Sequence, residues 1–150
     1  MCTSLPRIIF FLTTCAWVSF PQSSWAQQKI DWRLLEALDY VSVMDSSLGY
    51  AYYQPVFPDK IKVLDAKEVT IKGYIIPIDA EGEAYALSAF PFSACFFCGG
   101  AGRESVIELT LKDDDQEFML DEIVTLGGTL RLGHDPFGLL YYIEGAYLVE

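Results

Sequence analysis

Basic side chains are scarce in this 150-residue sequence, where 10 Lys and Arg residues stand against 21 Asp and Glu residues. One of these charges, Arg7, lies in residues 1–26, so residues 27–150 hold nine basic and 21 acidic side chains, a formal charge of −12. Binding to nucleic acid depends on Lys and Arg side chains that displace counterions from the phosphates. We therefore expect no nucleic-acid partner.

Long apolar runs and heptad repeats are also missing. The main apolar stretch, Ile8–Phe20, has 13 residues, whereas a membrane-spanning helix needs about 20. The lack of heptads excludes a coiled coil, and a hydrophobic content of 52% excludes a disordered chain. A chain of this length supports one domain with a sizeable core.

The N-terminus is typical of an export signal. Arg7 precedes Ile8–Phe20, and the small residues Ser24 and Ala26 stand at positions −3 and −1 of a cleavage site after Ala26. Residues 1–26 are therefore predicted to be a signal peptide. An uncleaved anchor and lipidation at Cys15 are the less favoured alternatives. We expect a mature protein that does not span the membrane and is periplasmic or secreted, in an oxidising compartment.

Residues 27–150 are predicted to form a single β-barrel-like domain, whose first part is 27–66. This part should contain a short helix over Asp31–Leu38, with Asp31 as its N-cap. Tyr40–Met44 fits either a continuation of this helix or a β segment. A proline- and tyrosine-rich stretch, Tyr50–Pro58, is predicted to be irregular, because prolines forbid a regular central strand. Its aromatic rings should cover one end of the core or, alternatively, form a ligand-stacking platform.

The second part, 67–150, alternates apolar and polar residues with a period of two, which predicts five strands. The strands begin near Lys67 and then cover Ala84–Phe90, the stretch around Ile107–Leu111, Glu122–Leu132 and Leu139–Val149. Interior glycines let long strands bend and serve both halves of a barrel. The predicted fold class is therefore mainly β, a small OB-like five-stranded barrel, with an open sandwich or roll as the alternative.

Cysteine is rare once the signal peptide is removed, because Cys2 and Cys15 leave with it and Cys95 and Cys98 remain. Two thiols separated by two residues can bond to each other or share a metal ion. The glycines that follow, in Gly99–Gly102, should let the backbone fold tightly and present N–H groups to the thiolates. Three uses of the pair stay open: half of a metal site, a disulfide of structural or unassigned use, and an exchanging redox couple.

A metal site needs more ligands than two thiols, because a structural zinc ion takes four. The mature sequence offers one imidazole, His134, in the turn before the last strand. A barrel could bring this turn close to the cysteine loop. The candidate metal ligands are therefore Cys95, Cys98 and His134, for zinc or copper, since soft sulfur ligands suit these metals better than calcium or magnesium. Two chains could also pool their thiols into a Cys₄ site.

The redox interpretation has less support from the surrounding sequence. Thioredoxin-like couples place the two cysteines at the start of a helix that follows a strand, whereas glycines and a predicted strand follow Cys98. Arg103 would lower the pKa of a nearby thiol, and the negative charge of the chain would raise it. With one histidine and no nucleophile-elbow motif, no catalytic residue is predicted.

Several segments together resemble a bacterial family of exported proteins and lipoproteins of unassigned function. The segment CFFCGGAG with the following ESVIEL is the specific part of the resemblance. It implies a fold that does not depend on the thiols, because related branches replace the cysteine segment, and an association of some relatives with envelope metal-transport systems. Arg103 stands where the family pattern suggests proline. The residues that carry the resemblance are Trp32, Leu35, Pro55–Phe57, Val69–Pro77, Cys95–Gly102 and Glu104–Leu109.

The sequence thus predicts an exported, OB-like, non-enzymatic domain that binds zinc, copper or an envelope partner through its CxxC loop. A thiol–disulfide redox accessory protein is one alternative. An interaction module in which a CxxC disulfide is structural is the other.

Overall fold

A closed barrel of five strands forms the centre of the protein. The computed structural model describes residues 27–46, 49–79, 84–113 and 115–149, so the predicted signal peptide lies outside the described residues. Two short helices, α1 (Trp32–Leu35) and α2 (Asp59–Lys62), precede the barrel. The strands are β1 (Gln28–Lys29), β2 (Asp39–Asp45), β3 (Tyr50–Val56), β4 (Glu68–Pro77), β5 (Tyr85–Ser88), β6 (Val106–Leu111), β7 (Ile123–Leu132) and β8 (Tyr141–Leu148).

Strand pairing closes the barrel. Its strands follow the order β4-β5-β6-β8-β7, and β7 pairs again with β4. Every pair in this ring is antiparallel except β6 with β8, which is parallel. A five-stranded Greek-key barrel with this order is an OB-like fold. The predicted fold class, mainly β with a small OB-like five-stranded barrel, is confirmed. The short β1 adds a parallel pairing to β4 outside the ring.

Gly73 lets β4 bend between its two partners. Glu68–Tyr74 pair with β7, whereas Tyr74–Pro77 pair with β5. A Cβ atom at Gly73 would lie 2.6 Å from the backbone oxygen of Ser88. Glycine is therefore required at the point where one strand passes from one half of the barrel to the other.

The interior of the barrel is filled by alternate residues of the strands. On β7, Val124, Leu126 and Leu130 are buried, as the alternation predicts. On β8 the alternation breaks at Gly145, where the register of the β6–β8 pair shifts and φ is +61°. Ala146 is buried after this bulge, so the period of two does not continue through the end of β8.

The N-terminal part packs α1 against the barrel. The carboxylate of Asp31 accepts a 2.9 Å hydrogen bond from the N–H of Leu34 and caps the helix, as predicted. The helix ends at Leu35 rather than at Leu38, and Tyr40–Met44 belongs to β2.

In the part of the chain that the structure describes, no helix has the length and apolarity to cross a membrane.

The proline- and tyrosine-rich segment is largely regular, which corrects the prediction. Tyr50–Val56 forms β3, which pairs antiparallel with β2 over its whole length. A ribbon of two strands has only edges, and Pro55 is tolerated on an edge strand. Phe57 beyond it covers the core as predicted: it is buried, and its ring packs 5.9 Å from that of Tyr141. Tyr53 on the ribbon is 71% exposed.

Candidate thiol site

The two cysteines lie in the connection between β5 and β6, which we name the cysteine segment (residues 89–105). The N–H of Ala89 donates a 3.0 Å hydrogen bond to the carbonyl of Ser105, so the segment leaves and re-enters the barrel at the same place. Two 3₁₀ turns, Phe92–Ala94 and Phe96–Cys98, follow each other with Cys95 in extended conformation between them.

Glycines shape the turn around the cysteines. The carbonyl of Cys95 accepts hydrogen bonds from the N–H of Cys98 (3.3 Å) and from that of Gly100 (3.1 Å). Gly99 ends the second turn at φ +75°, and a Cβ atom at Gly100 would lie 2.6 Å from the carbonyl oxygen of Ala94. The tight fold is therefore as predicted. The N–H groups of Gly99 and Gly100 bond to carbonyls, however, and not to the thiols as expected.

The two thiols are free and lie side by side, with unequal access to solvent. Cys95 is fully buried and Cys98 is exposed. The Cys95 thiol is close enough to Cys98 to affect its pKa. The pKa of the Cys98 thiol is raised, first because neighbouring protein atoms displace water from it. Repulsion between two thiolates and the hydrogen bond with Cys95 raise it further.

The burial of Cys95 does not come from the barrel interior. Cys95 is buried, yet it is not a member of the core cluster that fills the barrel. The ring of Phe96 packs edge-on against that of Phe97, with centroids 5.4 Å apart, and Phe97 remains 44% exposed. Of the two neighbouring thiols, one is therefore buried and one exposed, in a segment outside the barrel core.

Arg103 connects the cysteine segment to the loop between β7 and β8. Its Nη1 donates hydrogen bonds to the carbonyls of Pro136 (2.7 Å) and Gly138 (3.0 Å). These bonds join the loop to the cysteine segment through a side chain that the sequence analysis considered only for its charge. The guanidinium does not contribute to the shift of the Cys98 pKa.

Asp121 holds the other side of the segment. Its carboxylate accepts a 2.6 Å hydrogen bond from the N–H of Phe92. Asp121 adopts φ +62°, which is uncommon for a residue other than glycine. The sequence analysis missed this contact, because an acidic residue before a strand is too common to single out.

His134 lies in the loop between β7 and β8 and lines a cleft rather than the thiol site. It is exposed and lines a cleft of about 440 Å³ beside the β2–β3 ribbon, together with Lys62 and Asp65. Within residues 27–46, 49–79, 84–113 and 115–149, no group of three or more His, Cys, Asp or Glu side chains is placed to hold a metal ion. The structure brings Cys95 and Cys98 together and does not add His134 to them, so zinc or copper binding stays a prediction.

The comparisons with known proteins give one structural likeness. No family model matches the sequence, and no curated protein matches it. Among solved structures, the protein is similar to a DUF3299 family protein from Pseudomonas aeruginosa, with 83% of this chain and 99% of that chain covered, 15% sequence identity and a TM-score of 0.48.

Proposed function

We propose that this protein is a thiol–disulfide redox accessory domain that works outside the cytoplasm through Cys95 and Cys98. The observation that supports it is a pair of free, neighbouring thiols, of which Cys98 is exposed and Cys95 is buried. An accessible sulfur can react with a partner, and an adjacent sulfur can then displace that partner.

The exchange divides the roles between the two cysteines. The Cys98 thiolate attacks a disulfide of a partner protein or of a small molecule, forms a mixed disulfide and expels one partner sulfur as a thiolate. The Cys95 thiolate then attacks the sulfur of Cys98 and releases the second partner thiolate. In the forward direction two thiol protons go to solvent or to the released thiolates, and two electrons reduce the partner disulfide to two thiols. The reverse sequence oxidises a partner dithiol.

The donor set favours this chemistry over a metal site within one chain. Structural zinc takes four ligands, and the described residues group Cys95 and Cys98 with no third His, Cys, Asp or Glu side chain. A single chain therefore supplies half of such a site.

The compartment follows from the N-terminal sequence and is part of the proposal. Removal of residues 1–26 would leave Cys95 and Cys98 as the only thiols of the chain. Export would place them in the periplasm or outside the cell, where disulfides form and persist. A partner from the cell envelope with an exchangeable disulfide is then the natural substrate.

A redox titration of the exported protein tests the proposal. Protein equilibrated in glutathione buffers is quenched by acid, alkylated and weighed by mass spectrometry. We expect a two-electron transition of the Cys95–Cys98 pair between about −180 and −260 mV. A midpoint below about −300 mV, the range of structural disulfides, would overturn the proposal. So would a reduced form that carries stoichiometric zinc or copper under native conditions.

Two single variants test the roles of the sulfurs. Cys95→Ser should accumulate a stable mixed disulfide with glutathione at Cys98, because the resolving thiol is missing. Cys98→Ser should stay unmodified until it is unfolded, because Cys95 is buried. The opposite pattern, with Cys95 reacting first in the folded protein, contradicts the assignment.

A further inference from the structure

Large apolar side chains are exposed on the cysteine segment, which carries Cys98, and on the turn that leads into β7 up to the first residue of that strand. We name them the apolar rim. Met119 is 75% exposed and Leu120 52% exposed. The members of the apolar rim are Phe90, Phe92, Phe97, Met119, Leu120 and Ile123.

The two stretches that carry the apolar rim are joined. The N–H of Phe92 donates a 2.6 Å hydrogen bond to the carboxylate of Asp121, so the first 3₁₀ turn lies against the turn before β7. That turn is fixed internally, because the N–H of Met119 donates to the Glu122 carboxylate at 3.0 Å and the N–H of Glu122 donates to the carbonyl of Met119 at 3.1 Å. Phe97 directly precedes Cys98 in the second 3₁₀ turn.

Acidic side chains accompany the apolar rim on the turn that leads into β7. Residues 84–102 contain no charged side chain, and residues 115–123 contain four acidic and no basic ones. The nearest cation in sequence, Arg103, is bound to two backbone carbonyls. The four carboxylates of residues 115–123 therefore accompany the apolar side chains of this turn, and we name them the acidic border.

We propose that the apolar rim docks a partner polypeptide that is both apolar and basic and presents its disulfide to Cys98. This inference rests on the proposed redox function and names its substrate class. Exposed aromatic and Met side chains are typical of interfaces, and the acidic border attracts a partner with Lys or Arg beside its cysteine. A second copy of this chain is a less suitable partner. Its own acidic border and its charge of about −12 would repel those of the first copy.

Short peptide disulfides test the substrate class on the reduced, full-length exported protein. Each peptide carries one cysteine in a mixed disulfide with a coloured aromatic thiol, whose release reports the attack of Cys98. One peptide has Leu and Phe next to the cysteine and Lys and Arg at its ends. A second replaces the basic residues by Glu, and a third replaces the apolar residues by Ser. The reference compound is a mixed disulfide of the same aromatic thiol with a small neutral thiol.

We expect the apolar basic peptide to react about tenfold faster than the acidic peptide at low salt, with a smaller difference at high salt. The apolar basic peptide should also react faster than the peptide with Ser in place of Leu and Phe. The Met119→Ser/Leu120→Ser double variant should lose most of this second preference and keep the reference rate. Met44→Ser is the matched control, since Met44 is 71% exposed on β2 and should leave all rates unchanged.

The outcomes separate the two proposals. Normal release from the reference with no preference among the peptides would overturn docking alone, as would a double variant that slows the reference by the same factor as the peptides. No release from the reference would overturn the redox function and docking with it. A wild-type dimer that the double variant converts to a monomer in sedimentation would assign the rim to a second copy, and so overturn the partner proposed here.

Discussion

The hydroxyl of Tyr141 donates a 2.7 Å hydrogen bond to the carbonyl of Leu35, and both residues are fully buried. This bond joins α1 to the last strand of the barrel, two elements that are far apart in the sequence. Tyr141→Phe removes the donor and leaves a buried carbonyl, so we expect a loss of about 1–3 kcal/mol in the free energy of unfolding by urea. Tyr53→Phe, at an exposed tyrosine, is the control and should have no effect.

The same residue makes stability depend on alkaline pH. The pKa of Tyr141 is raised well above its ordinary value, first by burial and then by the charges of Tyr40 and Glu104. In the unfolded chain a tyrosine ionises near pH 10. Above that pH the unfolded state loses a proton that the folded state keeps, so the free energy of unfolding falls as pH rises. Tyr141→Phe should show a shallower fall between pH 9 and 11, and an equal slope in the two proteins would contradict the assignment.

Gly73 should tolerate no side chain. A Cβ atom there would lie 2.6 Å from the Ser88 oxygen and 2.9 Å from a side-chain carbon of Leu87. Since the first of these atoms belongs to the backbone, we expect Gly73→Ala to destabilise the protein by about 1–3 kcal/mol in thermal or urea unfolding. Gly49→Ala adds a methyl group in open space at φ +73° and should cost about 1 kcal/mol, the backbone contribution alone. If Gly49→Ala costs as much as Gly73→Ala, the close approach is not the cause.

The barrel strands could be predicted because the alternation of apolar and polar residues is visible within each strand. Val124, Leu126 and Leu130 alternate with polar residues and are buried, and Gly73 marked the bend. The bulge at Gly145 could not be located from the sequence. A glycine within a strand does not show whether the side chains after it keep the same alternation between core and solvent. The ribbon was missed since Pro55 excludes a central strand but not an edge strand.

The site could be predicted in part. A spacing of two residues keeps Cys95 near Cys98 in any tight turn, so their contact was expected. Which sulfur is exposed depends on the path of the whole segment, and that path is fixed by distant contacts from Asp121 and Arg103. The side chain of His134 lines the cleft. No pattern in the sequence predicts that it lies there rather than beside the cysteines.

Arg103 should be a positioning residue for the cysteine segment. Arg103→Gln removes the two bonds to the loop between β7 and β8, so we expect faster amide hydrogen exchange in residues 96–102 and 133–140 and a stability loss of about 1–2 kcal/mol. Arg33→Gln, at an exposed position on α1, is the control. The pKa of Cys98 should not rise, because the guanidinium is not among the causes of its shift. A marked rise of that pKa in Arg103→Gln would show that the guanidinium stabilises the thiolate after all.

The reactivity of Cys98 should rise with pH later than that of an ordinary thiol. Its pKa is raised by partial loss of water and then by Cys95, and the thiolate is the reactive form. The rate of alkylation by iodoacetamide should therefore reach its midpoint at a higher pH in the folded protein than in the same protein in urea. Cys95→Ala removes the contributions of the neighbouring thiol and should move the midpoint down without reaching the value in urea, since the loss of water remains. A midpoint in the folded wild-type protein below that of the unfolded chain would mean that Cys98 is an activated thiolate, contrary to the geometry of the turn.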